Sequence, residues 1–397
     1  MSEQSNKPSK EAQAQKDRRA SLGQTLLVPA LAVFTGLVIG GIVIFVAGEN
    51  PFTAYSALFG GSFGTLQQFI EGFQQYSATG DKTALLQAIY PFTESLVTAT
   101  PYIFAALSVA IGFRCGLFNI GAEGQVLMGA LCSAYVGYSI TGLPAFIHLP
   151  LALLAGAFGG AVWGMIPGYL KARFGAHEVV NTIMMNWIAC KLSDWLLTGP
   201  MQASNSRPVT PNVEATAELP RFFSDPLRFN WGFVLALLAA WFVYWFLFKT
   251  TLGFEIRSVG ANPDAAKYAG MNVTRNFVLV MALAGALAGL AGSSQVLGVD
   301  HWVGQGFSAG YGFDSIALAL LGKSHPVGVA ISALLFGFLR SGATRMQSLA
   351  GIPIDIISII QGLVVIFVAA PVIIRSIYRI RVAPEKEETV LTRGWGR

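Results

Sequence analysis

Apolar segments recur along the chain and are separated by short polar connections. A transmembrane helix needs about 20 consecutive, mostly apolar residues. Segments that meet or approach this length lie near 24–47, 90–113, 117–140, 149–170, 177–198, 230–248, 276–298, 308–321, 326–345 and 352–374. The pattern predicts an all-α polytopic membrane protein with about ten transmembrane helices.

Composition supports a membrane class and excludes several others. Hydrophobic residues make up 53% of the 397 positions and charged residues only 12%, whereas soluble domains carry about 25% charged residues. The 44 glycines suit helices that approach one another closely in a bilayer. The net charge of +5 comes from Lys and Arg near the termini and in connections, which is typical of cytoplasmic loops rather than of nucleic-acid binding.

The distribution of basic residues predicts the orientation and the domain boundaries. Five Lys and Arg residues before position 20 place the N-terminus in the cytoplasm, and ten crossings then place the C-terminus there too. The resulting segments are a disordered cytoplasmic tail at 1–23, a membrane domain at 24–375, extracellular insertions at 49–87 and 199–229, a cytoplasmic loop at 249–275 and a cytoplasmic tail at 376–397.

Two arginines depart from this charge pattern. Arg340 and Arg345 fall near the outer end of the ninth predicted span. Either they line an aqueous path, or the span boundaries differ from those that the hydropathy gives.

Two of the predicted spans have the character of broken helices. The stretch "GLFNIGAEGQVLMGA" (116–130) holds polar residues spaced by glycines, and the 308–321 segment is too short to cross a bilayer comfortably at about 1.5 Å per residue. Each contains one acid, Glu123 or Asp314, in a different half of the chain. This arrangement predicts two structural repeats with discontinuous helices, as transport proteins often have.

The sequence offers no catalytic or metal-binding constellation. His177-Glu178 begins like a zinc-protease motif, but position 181 is Asn. Gly322-Lys323-Ser324 resembles the end of a phosphate-binding loop, but position 317 is Ala where its first Gly should be. We therefore expect no enzyme, with no catalytic residue, metal or cofactor in this chain and any energy from ATP supplied by a partner.

Glu123 and its neighbours allow two interpretations. A carboxylate at bilayer depth costs about 2.5–3.5 kcal/mol or more unless it faces protein or water. Irregular backbone at that depth is tolerated where it is packed in protein or lines a cavity. Asn119, Glu123 and Gln125 therefore either border a solute pathway or stabilise neighbouring helix ends by hydrogen bonds.

The cytoplasmic stretch "LGFEIRSVGANPDAAKYAGMNV" (252–273) predicts a short capped helix. Pro263 can begin it, with Asn262 as its N-cap and Gly270 as its end. Such a helix is a docking element for a partner, although a simple solvated loop is the alternative.

Four motifs in order resemble one transporter family. "GLFNIGAEGQ", "HEVVNTIMMNWIA", "EIRSVGANPDAAKYAGMNV" and "GYGFDSIALALLGKSHPVG" look like the permeases of ATP-binding-cassette (ABC) importers for simple sugars, branched-chain amino acids and nucleosides. The resemblance covers roughly residues 25–375. The second motif and the glycine-rich 304–328 stretch are most similar to the nucleoside permeases.

The resemblance implies partners and functional residues. It implies a bacterial plasma-membrane permease for nucleosides, a partner ATPase that binds ATP and magnesium, a second homologous permease and an extracellular substrate-binding lipoprotein. The expected pathway residues are Phe118, Asn119, Glu123, Gln125, Asn181, Asn186, Trp187, Gln295 and Asp314. The expected ATPase-coupling residues are Glu255, Arg257, Gly260, Asn262, Pro263, Ala265, Ala266, Tyr268 and Gly270. Simple sugars or branched-chain amino acids are the alternative cargo, and a self-sufficient secondary transporter is the alternative class.

Overall fold

The computed structural model describes residues 10–80, 82–203, 207–308 and 310–379. Within these ranges the chain is helical, and its extended pairing is limited to the isolated bridges Val209–Gly304 and Arg221–Asn230. The α-helices are α1 Lys10–Val46, α2 Pro51–Phe63, α3 Leu66–Thr79, α4 Thr83–Arg114, α5 Ala122–Ser139, α6 Ala145–Phe174, α7 Glu178–Leu197, α8 Gly232–Lys249, α9 Thr251–Ala261, α10 Pro263–Tyr268, α11 Val273–Gln295, α12 Tyr311–Leu321, α13 Pro326–Ala350, α14 Ile354–Ala369 and α15 Pro371–Ile377.

The predicted membrane class agrees with the length and composition of these helices. Five are long and apolar enough to cross a membrane: α4, α6, α8, α13 and α11 together with its π-helical extension Val296–Asp300. Shorter apolar helices lie at Ala30–Val46, Tyr311–Leu321 and Ile356–Phe367. The eighth predicted span is indeed short, because α12 has only 11 residues.

One boundary differs from that predicted. The helix α1 begins at Lys10, so residues 10–23 are helical where the sequence analysis expects a disordered tail. Their Lys, Glu, Gln, Arg and Ala residues are good helix formers and continue directly into the apolar span. Positions 1–9 of that tail, and 380–397 of the C-terminal tail, lie outside the described residues.

One compact unit contains residues 10–54 and 352–379, with α1, α14 and α15 as its main helices. Gly36 of α1 permits close packing there, since a Cβ atom on it would stand 2.8 Å from a methyl carbon of Val364. The Thr35 hydroxyl lies 3.0 Å from that of Tyr378. Small residues therefore bring α1 and α14 together, as is common between membrane helices.

The second unit contains residues 55–351, and α4 lies at its centre. This helix buries most of its length, including the bulky side chains of Tyr102 and Phe104. The helices α5, α8, α11, α12 and α13 all pack against it. Most of α4 is therefore buried against other helices of this unit.

A glycine stripe draws α6 and α11 together within this unit. Gly156, Gly160, Gly164 and Gly168 recur every four residues on α6 and therefore share one face. A Cβ atom on Gly160 would stand 2.2 Å from the carbonyl oxygen of Gly285 on α11. This stripe is the small-residue packing that replaces hydrophobic driving force inside a bilayer.

Candidate translocation site and coupling segment

The loop between α4 and α5 is held by an amide pair. Asn119 donates from Nδ2 to Oε1 of Gln125 at 3.0 Å, and Gln125 Nε2 returns a bond to Asn119 Oδ1 at 3.3 Å. The same Oδ1 accepts the Gly121 N–H at 3.0 Å. Both side chains are fully buried, so each satisfies the other away from water.

Asn186 of α7 forms hydrogen bonds with the main chain of this loop and of the first turn of α5. Its Oδ1 accepts the Gly124 N–H at 2.9 Å, and its Nδ2 donates to the Ile120 carbonyl at 3.0 Å. Gly124 permits this approach, because a Cβ atom there would lie 3.0 Å from Asn186 Oδ1. Asn186 thereby pairs the backbone of the irregular segment, which a membrane interior requires.

Glu123, in the first turn of α5, contacts the start of α12. Its carboxylate accepts the Ser308 hydroxyl at 2.8 Å, the Gly310 N–H at 3.1 Å and the Gly312 N–H at 2.6 Å. These donors lie at the start of α12, where main-chain N–H groups have no partner within the helix and the helix dipole favours a negative charge. Of the two interpretations open for Glu123, the geometry matches the stabilisation of a neighbouring helix end.

The remaining predicted pathway residues do not join this network. Asp314 accepts the Tyr102 hydroxyl at 3.1 Å, and Gln295 donates to Asp300 at 3.0 Å. The Phe118 ring packs against Phe113, with centroids 5.2 Å apart. Asn181 is half-buried, and its buried Nδ2 has no partner among the described residues. The side chain of Trp187 is 64% exposed on α7.

A polar cavity of about 400 Å³ lies elsewhere in the second unit, between α2, α4, α13 and the 199–229 loop. Glu94 of α4 and Arg228 of the loop form an ion pair in its wall, and the side chains of Arg340 and Arg345 from α13 also line it. The other lining residues are Gly61, Tyr90, Pro91, Thr98, Ser341, Thr344 and Ser348.

None of the residues that line this cavity is among the pathway residues expected from the sequence. The one signal for it is the break in the charge pattern at Arg340 and Arg345, since both arginines line the cavity. Tyr90 and Thr98 carry no such signal, because an aromatic or hydroxyl residue in an apolar helix is common for packing alone.

The short capped helix that the 252–273 stretch predicts is present as α10. Asn262 Oδ1 accepts the N–H groups of Asp264 and Ala265 at 3.0 Å each, and Pro263 occupies the first turn. Gly270 follows the helix at φ +84°. A short helix of six residues is marginal alone, so this cap and its junction with α9 hold it in place.

The residues expected to couple to an ATPase divide into an exposed and a packed group. Tyr268 is 97% exposed, and Ala265 is exposed beside it, whereas Ala266 is buried. In the packed group, Glu255 accepts a bond from Asn276 at 3.1 Å. The guanidinium of Arg257 lies 5.1 Å from the centre of the Phe248 ring. The exposed group is available to a partner, and the packed group anchors α9.

The helix α9 also contacts the connection that leads into the α4–α5 loop. A Cβ atom on Gly260 would stand 2.2 Å from the Arg114 carbonyl oxygen. Arg114 in turn donates to the carbonyl oxygens of Ser324 at 2.8 Å and Lys323 at 3.3 Å. The end of α4 therefore lies between α9 and the connection from α12 to α13.

His325 is the last residue of this connection. The centre of its ring lies 5.7 Å from that of Tyr244 and 5.4 Å from that of Phe248. Burial and the positive charge of Arg114 lower the pKa of the His325 imidazole. The neutral form is therefore favoured where α8, α4 and α13 meet.

These features define a class: a helical membrane protein with a polar cavity among its helices and a capped helix that is available to a partner. The chain belongs to the family described as branched-chain amino acid transport system / permease component, whose model matches residues 92–369. It is therefore an integral membrane protein.

Relatives extend the match to nearly the whole chain. The guanosine ABC transporter permease protein NupP of Bacillus subtilis is 40% identical over 89% of this chain and 95% of its own length. The nucleoside ABC transporter permease protein NupB of Lactococcus lactis is 35% identical over 88% and 92%. The glucose ABC transporter permease protein TsgB13 of Haloferax volcanii is 33% identical over 89% and 90%. No solved structure matches the chain.

Proposed function

We propose that the chain is the permease subunit of an ABC importer that carries nucleosides across the bacterial plasma membrane. The observation that carries this is the similarity, over about nine-tenths of both chains, to permeases named for guanosine and nucleosides. The cavity supports it, because Tyr90 offers an aromatic ring and Thr98 and Ser341 offer hydroxyls beside cationic groups. A nucleoside presents a flat base and several hydroxyls, which such side chains bind.

The proposed topology has about ten membrane crossings in two repeats, with both termini in the cytoplasm. The connection at 249–275 then faces the cytoplasm, and the insertions at 49–87 and 199–229 face outward. The excess of Lys and Arg at the N-terminus and in the 249–275 connection supports this orientation. In it, the cavity opens toward the outer side, where solute arrives.

The proposed motor is a separate ATPase that binds ATP and magnesium. The capped helix α10 with its exposed Tyr268 would dock on that subunit, and the contact between Gly260 and Arg114 would carry the displacement into α4. A second homologous permease and an extracellular binding lipoprotein complete the proposed complex. Within this chain, solute would pass from the cavity toward Asp314, with Asn119, Gln125, Asn186 and Glu123 supporting the wall.

A sugar is the second candidate cargo. The relative named as a glucose permease covers this chain as fully as the nucleoside permeases do, and the hydroxyl-rich cavity lining is compatible with a sugar ring.

ATPase stimulation by solute distinguishes the candidates. The complex, reconstituted with its binding protein, is screened with nucleosides, ribose, glucose and branched-chain amino acids. We expect stimulation by nucleosides. Stimulation by sugars alone would support the second candidate and contradict the first.

A further inference from the structure

Three arginines line the cavity, and two of them are engaged. Arg228 pairs with Glu94, and Arg345 donates from Nη1 to the Gly60 carbonyl at 3.3 Å. The half-buried guanidinium of Arg340 has no hydrogen bond or ion pair within the described ranges of the chain. A planar group with five N–H donors therefore faces the cavity with its donors available.

We propose that Arg340 binds the acceptor edge of the nucleobase and makes the cavity selective for 6-oxopurine nucleosides, such as guanosine and inosine. The inference rests on the proposed function and narrows it to a substrate class. Guanine presents O6 and N7 as adjacent acceptors, and a guanidinium donates to both at once, as arginine does to guanine in DNA. Hypoxanthine presents the same two atoms.

Other bases fit this donor less well. Adenine places an amino group beside N7, and cytosine presents an amino group in place of a carbonyl oxygen. Because the Arg340 guanidinium offers donors only, an amino group in that position leaves two donors facing each other. Uracil has a carbonyl oxygen but no ring nitrogen equivalent to N7, so it accepts one bond rather than two.

Other side chains in the cavity lining can contact the face of the base and the ribose of such a nucleoside. Tyr90 supplies a ring on which a base can stack, and Ser341 supplies a hydroxyl for a ribose. The hydroxyls of Thr98 and Thr344 donate to the carbonyl oxygens of Glu94 and Arg340, and their oxygens can still accept a bond from a ribose hydroxyl. The volume of about 400 Å³ falls within the roughly 300–1,000 Å³ of small-molecule sites.

The test pairs a change in the protein with a change in one substrate atom. The full complex is reconstituted in proteoliposomes with wild-type chain, Arg340→Gln or Arg340→Lys. For each complex we measure the maximal uptake rates of guanosine and of 7-deazaguanosine, which lacks the N7 acceptor. The binding protein is the same throughout, so its own preference cancels from each comparison of variants. Arg173→Gln, an exposed position at the end of α6, controls for the loss of one positive charge.

We expect Arg340→Gln to lower guanosine uptake about tenfold or more, the range expected for a lost bidentate contact, and Arg340→Lys to lower it less, because an ammonium group can still donate to O6 and N7. The loss for 7-deazaguanosine should be severalfold smaller, since its second acceptor is already missing. Equal losses for both nucleosides, or losses no larger than with Arg173→Gln, would overturn the inference. If Arg340→Gln does not assemble, Arg340→Met, which also removes the guanidinium donors, decides the same comparison. Absence of nucleoside uptake by wild type would instead refute the proposed function.

Discussion

Gly260 of α9 lies against Arg114 at the end of α4 so closely that a Cβ atom on it would stand 2.2 Å from the Arg114 carbonyl oxygen. Gly116, two residues after Arg114, also lies close to Gly260: a Cβ atom on Gly116 would stand 3.3 Å from the Gly260 carbonyl oxygen. Two main chains in direct contact leave no flexible side chain to absorb a displacement. A movement of α9 must therefore shift the segment that leads to Asn119 and Glu123.

Replacing Gly260 tests this contact. Gly260→Ala places a methyl group against main-chain atoms, so α9 and α4 must separate. We expect ATP hydrolysis by the complex to continue while uptake per ATP falls severalfold. Gly362→Ala is the matched control, because a Cβ there would have no atom within 4 Å outside the adjacent backbone of its own helix. Unchanged coupling with Gly260→Ala would show that the contact transmits nothing.

The neighbours Ala265 and Ala266 provide a second test. Ala265 is exposed on α10 and Ala266 is buried beneath it. Ala265→Trp should leave the thermal stability of the chain unchanged and abolish ATPase docking, as measured by co-purification and uptake. Ala266→Trp should lower stability by overpacking, by about 1–3 kcal/mol. Normal co-purification and uptake with Ala265→Trp would exclude α10 as the docking helix.

Glu123 can be tested through stability as well as transport. Glu123→Gln keeps the shape but removes the charge from three hydrogen bonds at the start of α12. It should lower the free energy of unfolding by about 1–3 kcal/mol, and uptake should fall with it. Thermal unfolding in detergent checks this result. A stable variant that no longer transports would instead place Glu123 in the solute pathway.

The sequence predicts more of the fold than of the site. The α10 helix follows from local chemistry, since Asn262, Pro263 and Gly270 specify a cap, a start and an end without distant partners. The partnership of Glu123 with Gly310 and Gly312 is not local. It joins positions about 190 residues apart, and no periodicity encodes such a contact. The cavity cannot be predicted from the sequence for the same reason, because its wall combines residues from α2, α4, α13 and a loop.

His325 predicts a pH dependence of stability. Burial and the charge of Arg114 lower the pKa of His325 in the folded chain. A free imidazole has a pKa of about 6.5, so below that pH the unfolded chain binds a proton at His325 more readily than the folded chain does. Stability is therefore fully present above pH 6.5 and falls as the pH drops toward the folded-state pKa. The thermal midpoint in detergent between pH 5.5 and 7.5 should fall less in His325→Asn than in wild type. An identical pH profile in both would contradict this role.

The account depends on a permease that has no motor of its own, and concentrative uptake measures that directly. Radiolabelled guanosine is supplied to proteoliposomes that contain the complete complex with ATP, the complete complex without ATP, or this chain alone. We expect accumulation above the external concentration only with the complete complex and ATP. Accumulation of guanosine by the chain alone, driven by an ion gradient, would contradict the account.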